Sequence, residues 1–143
     1  MTQNIPVLLV EDDTVDVKTV KRSFKENKIL NPLYTTGNGE EALEFLRHEG
    51  KYQDVGESPR PGIILLDLNM PIMNGFEFLK IVKADDNLKS IPVVVLTTSK
   101  EENDRLSTYK LGIAGYIVKP VEFDKFVEAI KTISIYWTLC QLP

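Results

Sequence analysis

Cysteine is almost missing from this chain of 143 residues: Cys140, close to the end, is the single one. No disulfide can form within the chain, and a reducing compartment fits, so a cytoplasmic location is expected. An excess of basic residues is also missing. Lys and Arg number 17 against 21 Asp and Glu, a net charge of −4. With no basic stripe to neutralise phosphates, nucleic acid is not expected as a partner. The stretch from Met1 to Pro6 lacks the basic and apolar regions of a signal peptide, and no apolar run is long enough to span a bilayer, so no membrane partner is expected either. Internal repeats, low-complexity tracts and interdomain linkers are absent too. The expectation is one domain over residues 1–143 with no output domain attached.

What the sequence does contain is an alternation of short apolar runs and amphipathic stretches. Ile5 to Val10, Ile63 to Leu66 and Ile91 to Leu96 are too short for helices and read as strands buried on both faces. Leu33 to Thr36 and Ala114 to Val118 read as two further strands. Between them, Thr14 to Asn27 carries Val17, Val20 and Phe24 on one helical face, Gly39 to His48 carries Ala42, Leu43, Phe45 and Leu46, and Gly75 to Ala84 carries Phe76, Leu79 and Val82. Lys100 to Leu111 reads as a polar helix. A last helix runs from Glu122 through Leu139 and extends over 122–142. Lys51 to Gly62, polar and rich in Gly and Pro, reads as a surface loop. Five strand–helix repeats imply an α/β fold: a five-stranded parallel sheet, doubly wound, with right-handed crossovers.

Open α/β sheets bind ligands at the carboxyl ends of their strands, and that rule singles out residues. The first strand ends at Glu11, Asp12 and Asp13, the third at Asp67, the fourth at Thr97 and Thr98, the fifth at Lys119. Crowded carboxylates repel, by about 4 kcal/mol at about 4 Å for an effective dielectric near 20. Such a cluster either raises a pKa or holds a cation. Oxygen donors without His or Cys nearby favour Mg²⁺. A divalent ion and a lysine beside an aspartate make a site for a phosphoryl group, with the carboxylate as in-line nucleophile and the Thr97 hydroxyl as a donor to a phosphoryl oxygen. Taken singly, each residue has a plainer reading. An acid such as Asp13 or Asp16 beside a strand end is ordinarily a helix N-cap or a solvated charge. Thr97 alone is a routine strand-end residue, and Lys119 alone is surface. The weight lies in their coincidence at the ends of separate strands.

At these residues the sequence resembles a known family. Val10-Glu11-Asp12-Asp13, the run from Leu65 to Gly75 (LLDLNMPIMNG), Val95-Leu96-Thr97-Thr98 and Tyr116-Ile117-Val118-Lys119-Pro120 resemble the marks of response-regulator receiver domains of the chemotaxis type, which have a flavodoxin-like (βα)5 fold. The resemblance implies that Asp67 is the phosphoacceptor and that a histidine kinase is the donor. It implies Asp12, Asp67 and the Asn69 carbonyl as protein ligands of Mg²⁺, with Glu11 in an outer-shell role. It assigns Thr97 and Lys119 to the phosphoryl oxygens, Tyr116 with Thr97 to an aromatic switch, and a cis peptide to Pro120. The long 51–62 loop and the extended last helix are similar to those of small stand-alone regulators that serve cyanobacterial and bacterial phytochrome histidine kinases. Ile135, Tyr136, Trp137 and Leu139 spread too far around that helix for one core-facing stripe, and a homodimer through the fourth helix, fifth strand and fifth helix would cover them; the alternative is a tail folded on its own domain.

Other functions fit less well. A phosphatase with an aspartyl-phosphate intermediate favours a second aspartate two residues after the nucleophile, and Asn69 stands there, unable to act as a carboxylic acid. An unphosphorylated interaction scaffold would need a broken acidic site. Nucleotide or flavin binding lacks a glycine-rich loop after the first strand. The expected role is therefore a phosphoacceptor signalling domain and not an enzyme, although it assists its own phosphotransfer and dephosphorylation. Thr98, at a position that is often Ala or Ser in the family, is expected to restrict the attacking water and lengthen the phosphorylated lifetime.

Overall fold

The computed structural model describes residues 5–26, 28–98, 101–119 and 128. The strands are β1 (Val7–Val10), β2 (Leu33–Thr36), β3 (Ile63–Leu66), β4 (Val93–Thr97) and β5 (Gly115–Val118). The helices are α1 (Thr14–Glu26), α2 (Gly39–Arg47), α3 (Gly75–Ala84) and α4 (Glu102–Lys110). All strand pairs are parallel, and the sheet order is β2-β1-β3-β4-β5. The expected last helix over 122–142, Pro120 and the dimer candidates Ile135, Tyr136, Trp137 and Leu139 lie outside the described residues; Glu128 alone of that stretch is described, and it is helical.

Successive strand residues point to opposite faces, and the core divides accordingly. Leu8 and Val10, Ile64 and Leu66, and Val93 and Val95 meet Ala42, Phe45, Phe78, Leu79 and Val82 of α2 and α3. Val7 and Leu9, Ile63 and Leu65, and Val94 and Leu96 meet Val20 and Phe24 of α1. This two-sided burial is why β1 and β3 are apolar at every position. Phe78 is fully buried, and its truncation to Ala would cost about 3–5 kcal/mol. β1 and β4 each begin two residues later than the apolar runs suggest. Pro6 and Pro92 have no N–H to give to a ladder, while their carbonyls accept from Gly62 and Ile64 at 2.9 Å each.

The order places β1 next to both β2 and β3, so the chain reverses direction across the sheet there. That switch point opens a crevice at the carboxyl ends of β1 and β3. Backbone bonds carry the pairing to its rim: Glu11 N–H donates to Thr36 O and Asp67 N–H to Val10 O, each at 3.0 Å.

Candidate functional site

Glu11, Asp12 and Asp67 converge at this crevice. One carboxylate oxygen from each lies within 4.8 Å of the others. Glu11 and Asp67 are buried, while Asp12 faces solvent. Lys119, just past β5, reaches the same place. Its ammonium lies 2.6 Å from Glu11 Oε2, 2.8 Å from Asp16 Oδ2 and 3.9 Å from Asp67 Oδ2. Its backbone N–H donates to Thr97 O at 2.6 Å, which ties the lysine to the end of β4. Thr97 is fully buried, and its hydroxyl accepts from Asn69 Nδ2 at 3.3 Å. The Asn69 N–H in turn points at Asp67 Oδ1, 3.3 Å away. Sheet topology therefore gathers Glu11, Asp12, Asp67, Asn69, Thr97 and Lys119.

The electrostatics follow from burial among like charges. Desolvation pushes the Glu11 carboxyl up to about 7, and the neighbouring Asp67 charge adds to this, against the pull of Lys119. Asp67 is raised as well, by burial first, although Lys119 and the Asn69 N–H oppose the shift. Burial would depress Lys119, but the hydrogen bonds to Asp16 and Glu11 outweigh it and keep the ammonium charged. One cation thus faces several carboxylates. The donor set is all oxygen, with one acid left open to solvent, and it fits a hard divalent cation.

The loop after β3 is held in shape by α3. Asn74 caps the helix by accepting from the Glu77 N–H at 3.0 Å, and the Glu77 carboxylate accepts from the Asn74 N–H at 3.4 Å, a reciprocal capping box. Gly75 is required by close approach: a Cβ there would lie 2.6 Å from Leu68 Cα. Between the two, Ile72 has φ of +67° and is 76% exposed. A β-branched residue in that region is strained, and that strain sits at Ile72 in the loop that follows Asp67.

Tyr116 is half-buried against the α2–α3 side of the core, with the Arg105 guanidinium 5.7 Å from its ring centroid. Thr98 is exposed just past β4. Asp13 behaves as an N-cap, its Oδ1 accepting from Val15 N–H at 2.8 Å. Asp16 does not follow the plain reading of a solvated helix charge: it is ion-paired to Lys119. The one signal for it in the sequence is an acid in the first turn of the helix that leaves the acidic strand end.

A profile of the response regulator receiver domain family matches residues 7–131. The chain belongs to the response regulator receiver family. Among curated relatives, the response regulator Rcp1 of Synechocystis sp. is 38% identical over 131 residues, covering 92% of this chain and 87% of that protein. Receiver structures agree. The Mn²⁺-bound form of Rcp1 superposes with a TM-score of 0.80 at 37% identity, covering 97% of this chain and 99% of that one. The bacteriophytochrome response regulator RtBRR gives 0.83 at 41% identity, covering 98% and 84%. This receiver is thus a two-component signalling domain of the doubly wound type. No helix among its described residues is long and apolar enough to cross a membrane.

Proposed function

We propose that this receiver accepts a phosphoryl group on Asp67 from a histidine kinase of the phytochrome type, with Mg²⁺ as the required cation. The observation that carries the reading is the meeting of three carboxylates from the ends of β1 and β3 with Lys119 from the end of β5. Asp12, Asp67 and the Asn69 carbonyl would hold the cation, with Glu11 behind them. A bound divalent cation supplies positive charge that offsets the carboxylates and the phosphoryl oxygens.

The protein's own residues do the rest. An Asp67 carboxylate oxygen attacks phosphorus in line, forming the acyl phosphate as the bond to the donor breaks. Thr97 Oγ1 turns from Asn69 to donate to one phosphoryl oxygen, and Lys119 pairs with another. Withdrawal of Thr97 leaves room into which Tyr116 turns, so the two side chains act as one two-state element biased by the new charge. Asn69, standing where a general acid would be needed, supports a phosphoacceptor over a hydrolase of external phosphoesters.

The receiver acts as one unit over 1–143, and it forms a homodimer through a face that includes α4 and β5. Leu106 and Tyr109, about half exposed on α4, support this face. It works in the cytoplasm, without nucleic acid or membrane partners. The test is labelling. Acetyl phosphate with Mg²⁺ adds one phosphoryl group to the wild type and none to Asp67→Asn, and phytochrome-type kinases outpace other histidine kinases in phosphotransfer profiling. Labelling of Asp67→Asn at the wild-type rate would overturn the assignment. Sedimentation showing a monomer at tens of micromolar, an order-of-magnitude concentration for a modest interface, would overturn the dimer.

A further inference from the structure

The geometry points to Asp16 as a positioning residue that holds the Lys119 ammonium on the α1 side of the crevice until a phosphoryl group on Asp67 displaces it. This rests on the phosphoacceptor reading of Asp67 and adds a residue to it. An ammonium has three N–H donors. Glu11 Oε2 at 2.6 Å and Asp16 Oδ2 at 2.8 Å take two of them, and Asp67 Oδ2 at 3.9 Å is beyond hydrogen-bonding reach.

The two partners are not equivalent. The Glu11 side chain is 2% exposed, so losing the lysine would leave a buried carboxylate without its counter-ion. The Asp16 side chain is 34% exposed, so water replaces the lysine there at little cost. It also lies in the first turn of α1, where the helix dipole stabilises a bare carboxylate. Asp16 is therefore the partner that Lys119 exchanges. It is not one of the three converging carboxylates, so its loss removes none of them from the crevice. The third N–H is left over, but the ammonium must shift toward Asp67 to spend it on a phosphoryl oxygen, and that shift draws it away from Asp16.

The test compares initial rates of labelling by acetyl phosphate in Mg²⁺ for the full chain and for D16N, D16E and D13N. D13N removes the same charge three residues away, at the cap of α1, and keeps a capping side chain, so it measures the general effect of charge on an anionic donor. D16N is expected to label about two- to fivefold faster than D13N, the range for a partly exposed ion pair, and D16E to stay near wild type. Beryllofluoride titrations followed at the Lys119 amide by NMR are expected to show tighter binding in D16N by the same factor. Should D16N lose amide dispersion, D16S carries the same expectation. A D16N rate equal to or below that of D13N overturns the role of Asp16 while leaving Asp67 intact. A wild type that does not label at all overturns both.

Discussion

Gly75, the first residue of α3, abuts the backbone of Asp67 and Leu68 so closely that no side chain fits between them; an added Cβ would lie 2.6 Å from Leu68 Cα and closer still to the Asp67 carbonyl oxygen. The obstruction is backbone and cannot rotate away. Gly75→Ala is therefore expected to cost about 1–3 kcal/mol of stability in urea unfolding, as overpacking does. It also shifts the Asp67 loop, so labelling falls more than the stability loss alone accounts for. An unchanged unfolding midpoint would show that the loop yields freely.

Cation binding to the crevice is linked to folding, because the carboxylates of β1 and β3 meet only in the folded chain. Mg²⁺ at about ten times its dissociation constant is expected to add roughly 1.4 kcal/mol, a rise of about 3–6 °C in melting temperature for a domain of this size. Asp12→Asn should abolish that rise. Calorimetric melts with and without Mg²⁺ decide it, and an equal rise in the variant would remove Asp12 from the ligand set.

A pH-dependent contribution comes from Glu41 on α2. Burial would push its carboxyl up, but the Tyr52 hydroxyl at 2.5 Å, the Gly37 N–H at 3.0 Å and the Lys51 ammonium at 3.2 Å hold it below its ordinary 4.5. A carboxyl depressed by folding contributes stability above its unfolded pKa and loses it as pH falls through the folded value. Tyr52→Phe keeps the ring, which packs edge-on against Phe45 at 5.2 Å. It should cost about 1–2 kcal/mol at neutral pH. The gap from wild type should close as the solution is acidified below the ordinary carboxylate range. Unfolding curves across pH check this, and a gap of constant size would mean that Glu41 is not the partner that matters.

Thr98 is exposed at the end of β4, beside the fully buried Thr97. Its methyl and hydroxyl would narrow the approach of water to a phosphoryl group on Asp67. Thr98→Ala is expected to shorten the lifetime of the phosphorylated form about two- to tenfold, a range for losing one group that excludes or orders water. Decay of labelled protein after removal of the donor measures it, and an unchanged or longer half-life would contradict the role.

The strands were legible in the sequence because burial on both faces leaves an apolar signature that needs no partner to interpret. The strand-end residues followed from sheet topology. Asp16 did not, because its meaning depends on Lys119, which lies on the far side of the sheet order. The 51–62 segment was also only partly readable. It reads as a surface loop, yet it opens within a 3-10 turn at Gly50–Tyr52, and Ser58 within it is fully buried, its one hydroxyl proton shared between the carbonyls of Tyr52 and Asp54 at 3.1 and 2.9 Å. His48 Nε2 meets Ser58 O at 2.8 Å. Hydrogen bonds from side chain to backbone have no periodicity, so nothing in the polar composition announces them.

β5 lies at the margin of the sheet and is half-buried along its length, whereas β1 and β3 are wholly enclosed. The acid that would be modified thus stands at the end of a fully enclosed strand, and the lysine that would register the modification follows a half-enclosed one. Local displacement costs least where enclosure is least. A charge arriving at the centre would therefore be felt as movement at the border, where another protein can touch it.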